Sequence, residues 1–167
     1  MKKIIVIGIS GAGKSTFATK LSELLDVPLI HLDQLFWQPG WVAVDKAIFL
    51  NKVADVMKTE QWIIDGNFTN SLEMRLEKAD TVFYFDFPAA ICLWNTFKRI
   101  IRYRKQSRKD MTEGCAERLN LEFIRHILTF RRDKAPSIEK LLTETSGKQI
   151  FRFKNYNEVD DYLKTLL

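Results

Sequence analysis

The run Gly8-Ile9-Ser10-Gly11-Ala12-Gly13-Lys14-Ser15 has the spacing G-x-x-x-x-G-K-S. Glycines at those positions let successive backbone N–H groups turn inward around an anion, at the positive end of the helix that follows. Lys14 is expected to reach the β- and γ-phosphates of a nucleoside triphosphate, and the Ser15 hydroxyl to bind Mg²⁺. Gly8, Ser10, Gly11, Ala12, Gly13 and Thr16 complete the expected contacts to that cofactor, ATP.

Three carboxylates stand at the ends of apolar runs: Asp33, Asp65 and Asp86. In an open parallel sheet, ligands collect beyond the carboxyl ends of the strands. Asp65, directly after Trp62-Ile63-Ile64, is the candidate partner of Ser15 in holding the metal, directly or through water. Asp33 lies on the acceptor side, where it would take a hydrogen bond or a proton from the attacking group. The competing reading for all three is that each caps the next helix.

Phosphoryl transfer needs its charge neutralised and its partners positioned more than it needs covalent chemistry. Arg118, Arg125 and Arg132 recur every seven residues on one predicted helix face and are candidates for that neutralisation. An ion-pair ladder with Glu122 would place the same residues in solvent. From Lys98 to Lys134 there are twelve Lys or Arg against five Asp or Glu, so the excess positive charge is one segment. That segment reads as a solvated face, as a nucleic-acid patch, or as a lid whose Arg104 and Arg108 close over phosphates. Trp37, with Phe36 and Trp41 around Pro39-Gly40, either stacks on a planar group or anchors a turn.

The elements that must position these groups alternate between strand and helix, which predicts a parallel sheet with crossover helices. Strands are expected at Ile4–Ile7, Val27–His31, Gln61–Ile64, Thr81–Phe85 and Gln149–Phe153. Helices are expected at 15–25, Val44–Thr59, Ser71–Lys78, Ala89–Tyr103, Glu117–Arg132, Ser137–Glu144 and from Asn157 onward, with an irregular excursion over 104–117. The fold class is three-layer α/β/α with a five-stranded parallel sheet ordered 2-3-1-4-5. At 167 residues and 46% hydrophobic content, the chain suits one domain spanning 1–167. It has neither a signal-like leader nor an apolar run of membrane-spanning length. A soluble, cytoplasmic protein is expected, with Cys92 and Cys115 as packing thiols.

The chain resembles the adenylate-kinase-like branch of phosphate-loop proteins over its full length. More narrowly, His31-Leu32-Asp33-Gln34-Leu35-Phe36-Trp37-Gln38-Pro39-Gly40-Trp41, Trp62-Ile63-Ile64-Asp65-Gly66-Asn67-Phe68 and Glu113-Gly114-Cys115-Ala116-Glu117-Arg118-Leu119 resemble the bacterial DNA topology modulation proteins. The resemblance implies kinase machinery, a lid at about 104–117, and contact of Lys154-Asn155-Tyr156 with the adenine. It departs where adenylate kinases carry two substrate-phosphate arginines: here stand Phe36 and Thr69. Arg75 is the candidate substitute, and Asn67 joins Asp33 and Trp37 as an expected substrate contact. The reading is ATP·Mg²⁺-dependent phosphoryl transfer to a small acceptor, a nucleotide or nucleoside-like metabolite. The alternatives are a nucleotide-regulated DNA-binding protein affecting DNA topology and a weak ATPase without acceptor.

Overall fold

The apolar runs that read as strands form the centre of the molecule. A computed structural model of the protein describes residues 1–103, 110–115 and 120–167. The main sheet contains β1 (Lys3–Gly8), β2 (Leu29–His31), β5 (Trp62–Asp65), β6 (Thr81–Phe85) and β7 (Gln149–Phe153). They lie in the order β2-β5-β1-β6-β7, every pairing parallel. Counting only these five strands, this is the predicted 2-3-1-4-5 order. Flanking helices complete the three-layer α/β/α arrangement: α1 (Lys14–Leu25), α2 (Leu32–Phe36), α3 (Lys46–Val56), α4 (Thr69–Lys78), α5 (Ala89–Arg102), α6 (Leu121–Asp133), α7 (Ala135–Glu144) and α8 (Tyr156–Lys164).

β5 and β6 are buried throughout and β1 along all but its first residue, as strands covered on both faces must be, which is why they read as continuous apolar runs. The edge strands β2 and β7 are only partly covered. Phe17 fastens α1 to the sheet, its ring edge-on to Phe83 at 4.8 Å and to Phe85 at 5.4 Å. Each such pair contributes about 1 kcal/mol beyond burial.

A short antiparallel hairpin, β3 (Trp37–Gln38) with β4 (Val42–Ala43), follows α2. The 110–115 segment docks on it through main-chain acceptors and donors. Thr112 Oγ1 donates to Trp37 O at 2.6 Å, Cys115 Sγ to Gln38 O at 3.2 Å, and Gly40 N to Gly114 O at 3.2 Å. Of the predicted lid, only this part is described, and it is packed: Met111 and Cys115 are buried. Both cysteines are buried thiols, and burial pushes Cys92 up to about 11.

The short helix α2 was not expected, and the starts of α1, α3, α4, α6, α7 and α8 differ from expectation by one to four residues; two of them show a cause. α6 begins at Leu121, where Asn120 Oδ1 accepts the Glu122 N–H at 2.8 Å. α7 begins at Ala135 rather than Ser137, because Pro136 occupies its first turn, where a missing N–H costs nothing. Among the described residues no helix is long and apolar enough to cross a membrane.

Candidate active site

β1 ends in Gly8, and the chain then wraps the N-terminus of α1. Gly11 has φ 86°, and a Cβ there would stand 2.4 Å from the Cys92 carbonyl oxygen and 2.7 Å from Thr96 Oγ1 on α5. Only glycine permits both the conformation and the approach. Gly11→Ala must therefore push the loop off α5. It is expected to cost about 1–3 kcal/mol, read by chemical denaturation, with weakened nucleotide binding read by fluorescence.

Ser10, Gly11, Gly13, Lys14, Ser15 and Thr16 line a cleft of about 1550 Å³ at the carboxyl ends of the strands. That exceeds the roughly 300–1,000 Å³ of a single-ligand pocket. Two expected loop contacts fall differently: Ala12 is buried in the core, and Gly8 is bonded to Asn67. At the floor of the cleft Lys14 Nζ donates to the Ile9 carbonyl at 2.9 Å. Desolvation lowers the Lys14 pKa, partly offset by the charges of Asp65 and Asp33.

Asp65 closes β5 and is nearly buried. Its Oδ2 meets His31 Nδ1 at 2.9 Å, while Oδ1 is buried without a protein partner. A buried acceptor without a donor calls for a ligand. Lining the same cleft as Ser15, it fits a Mg²⁺ ion held mostly by water and phosphate oxygens, since that ion takes few protein ligands. Asp65 is not a helix cap, because the residue capping α4 is Phe68. Nor is Asp33, which sits in the first turn of α2 and lines the cleft. Burial disfavours the His31 cation, but the hydrogen bond and charge of Asp65, with Asp110 and Asp33 beyond, hold its pKa above the ordinary value. Asp86 lies away from this group, paired with Arg131 at 3.2 Å.

Several expected site residues have other roles. Arg75 is fully buried, its guanidinium bonded to the carbonyls of Gly66 and Asn67 at 2.9 and 2.6 Å and to Ser71 Oγ at 3.1 Å. It does not line the cleft. Burial pulls its pKa down to about 9, so it remains cationic at neutral pH. Asn67 lines the cleft, but its amide is committed to both main-chain groups of Gly8.

Arg125 and Arg132 are exposed and do not line the cleft, because α6 turns Phe123, His126 and Phe130 toward it instead. Arg132 pairs with the adjacent Asp133 at 2.6 Å. Arg118, Arg104 and Arg108 lie outside the described residues, as does most of the 104–117 lid.

Asn155 caps α8, accepting the Glu158 N–H at 3.1 Å, and does not line the cleft. Its neighbour Tyr156 does. The ring passes within 3.4 Å of a Cβ position on Gly13, and its hydroxyl accepts from Asn95 Nδ2 at 2.6 Å. The same Asn95 amide bonds Gly11 O at 3.1 Å.

Among the described residues, the cations that border the cleft besides Lys14 are Lys98, Arg99, Arg102 and Lys134. All four fall within the basic segment from Lys98 to Lys134, but nothing local marked them as the ones facing the cleft. Trp37 and Trp41 form one wall, their rings 5.5 Å apart and steeply inclined.

The sheet order, the glycine-bounded loop and the cleft above the strand ends define a phosphate-loop fold of the nucleoside monophosphate kinase type. Among solved structures it is similar to the shikimate kinase from Bacteroides thetaiotaomicron, with TM-score 0.56 and 18% identity over 98% of this chain and 94% of that one. It is also similar to the shikimate kinase from Acinetobacter baumannii in complex with shikimate, with TM-score 0.57 and 16% identity over 99% and 90%. No family model and no curated protein matches the sequence.

Proposed function

We propose that the protein is a cytoplasmic ATP-dependent kinase, one unit spanning residues 1–167 with a lid at 104–117, that transfers the γ-phosphoryl group to a nucleotide or nucleoside-like acceptor. The observation that carries this reading is the meeting of Lys14, Asp65 and Asp33 in one cleft, where both carboxylates act on the Lys14 ammonium. The phosphate-loop amides and Lys14 bind and orient the triphosphate. Ser15 and Asp65 would hold Mg²⁺, which when bound neutralises phosphate charge. Asp33 accepts a hydrogen bond from the acceptor and aims its oxygen at the γ-phosphorus. Trp37 and Trp41 offer faces for a planar group, and Lys98, Arg99 and Arg102 add positive charge from α5. That these cations border the same cleft as Lys14 favours a triphosphate over a long polyanion. The resemblance to the DNA topology modulation proteins suggests the cellular setting, with kinase chemistry beneath it.

The test is a screen of nucleosides, nucleoside monophosphates and shikimate with ATP and Mg²⁺, following both phosphorylated product and free phosphate. Acceptor-dependent product is the expected result. Free phosphate alone would leave the weak ATPase, and nanomolar duplex DNA affinity without nucleotide would favour the DNA-binding alternative. The kinase reading expects DNA affinity no tighter than about 10⁻⁵ M at physiological salt. Asp33→Asn is expected to slow transfer about 10²-fold with ATP binding unchanged, as measured by single-turnover kinetics beside equilibrium binding.

A further inference from the structure

β1 outruns its neighbour β5. The ladder between them ends where Val6 faces Asp65, with a last bond from Gly66 N to Val6 O at 3.1 Å. Two residues later Gly8 still presents an N–H and a carbonyl toward that side, where β5 has turned away. Asn67 fills the place of the missing strand. The Gly8 N–H donates to Asn67 Oδ1 at 2.8 Å, and Asn67 Nδ2 donates back to the Gly8 carbonyl at 2.7 Å. A side-chain amide thus offers the donor and acceptor that a facing peptide unit would. On the other flank Gly8 is paired with Phe85 of β6, so the first residue of the phosphate loop is gripped from both sides.

Asn67 is itself held. Arg75, wholly buried on α4, donates to the carbonyls of Gly66 and Asn67 and is steadied by Ser71. Asp65 immediately precedes this pinned loop. One continuous set of bonds therefore runs from α4 through Asn67 to Gly8, joining the strand end that carries Asp65 to the loop that carries Lys14 and Ser15.

We propose that Asn67 is a positioning residue for the ATP·Mg²⁺ site: its amide fixes the phosphate loop against the end of β5 and so sets the separation of Ser15 from Asp65, with Arg75 keeping Asn67 in register. This rests on the nucleotide reading above. The consequence is specific to the metal. The phosphates would be held by the loop amides and Lys14, all on one side of the Asn67 joint, whereas Mg²⁺ would be held by Ser15 and Asp65 from its two sides, so slack there must weaken metal-dependent binding first.

The test compares wild type with Asn67→Ala and the nearly isosteric Asn67→Asp, using a fluorescent ATP analogue titrated with and without Mg²⁺, and melting curves of the free proteins. Asn67→Asp keeps the acceptor for the Gly8 N–H but turns a second acceptor on the Gly8 carbonyl, so it should fail as the alanine does. Both variants are expected to need about tenfold more Mg²⁺ for half-maximal binding, the scale of losing an outer-shell partner of a metal ligand. Affinity in EDTA should change by less than about twofold, because the loop amides and Lys14 are retained. Wild-type Mg²⁺ dependence in either folded variant would overturn the proposal, as would equal losses with and without metal. Wild-type protein that binds no analogue under any condition would instead overturn the nucleotide reading on which the proposal stands.

Discussion

Lys14→Ala is expected to lower turnover by about 10³-fold or more, the scale of removing a cation from a phosphoryl-transfer site, while leaving the melting temperature near that of wild type. In the free protein the ammonium is partly desolvated and makes a hydrogen bond to the Ile9 carbonyl. Its stabilising contacts and the cost of desolvating it largely offset, so truncation removes little from the fold. Bound triphosphate would change that balance, because Lys14 would then neutralise phosphate charge confined by the loop. Steady-state rates and calorimetry on one preparation check both halves. Retained turnover with unchanged ATP affinity would sink the assignment of the phosphate loop.

Arg75→Ala should do the reverse and act on stability. The substitution strands the carbonyls of Gly66 and Asn67 and leaves a cavity the size of a guanidinium in a fully buried place. A loss of about 3–5 kcal/mol is expected, comparable to removing one partner from a buried charged network, measured by urea unfolding. A substrate-binding arginine would show a higher acceptor KM at unchanged stability. That outcome would return Arg75 to the role the sequence suggested.

The phosphate loop was legible because all its chemistry lies within eight consecutive residues. The strand limits of β6 and β7 matched the apolar runs residue for residue. The two-residue strands β3 and β4 carry too little alternation to register as anything but a turn around Pro39-Gly40. Asn67 and Arg75 looked like substrate contacts because polar residues near a ligand site have that prior. Their actual partners depend on folding: the Asn67 amide meets Gly8 across 59 residues of sequence. The seven-residue spacing of Arg118, Arg125 and Arg132 predicted one shared face; Arg118 lies outside the described residues, and Arg125 and Arg132 are both exposed on α6. The spacing did not say which face of α6 looks inward, which is decided by burial of Ile127 and Phe130. Asn155, followed three residues later by Glu158, carries the pattern of a helix start, and the structure uses it so.

The docking of 110–115 on the β3–β4 hairpin has an evolutionary consequence. Three of its bonds to the hairpin end on the main-chain groups of Trp37, Gln38 and Gly40. Hairpin side chains can therefore be exchanged without breaking that seam, whereas the phosphate loop tolerates no such exchange at Gly11.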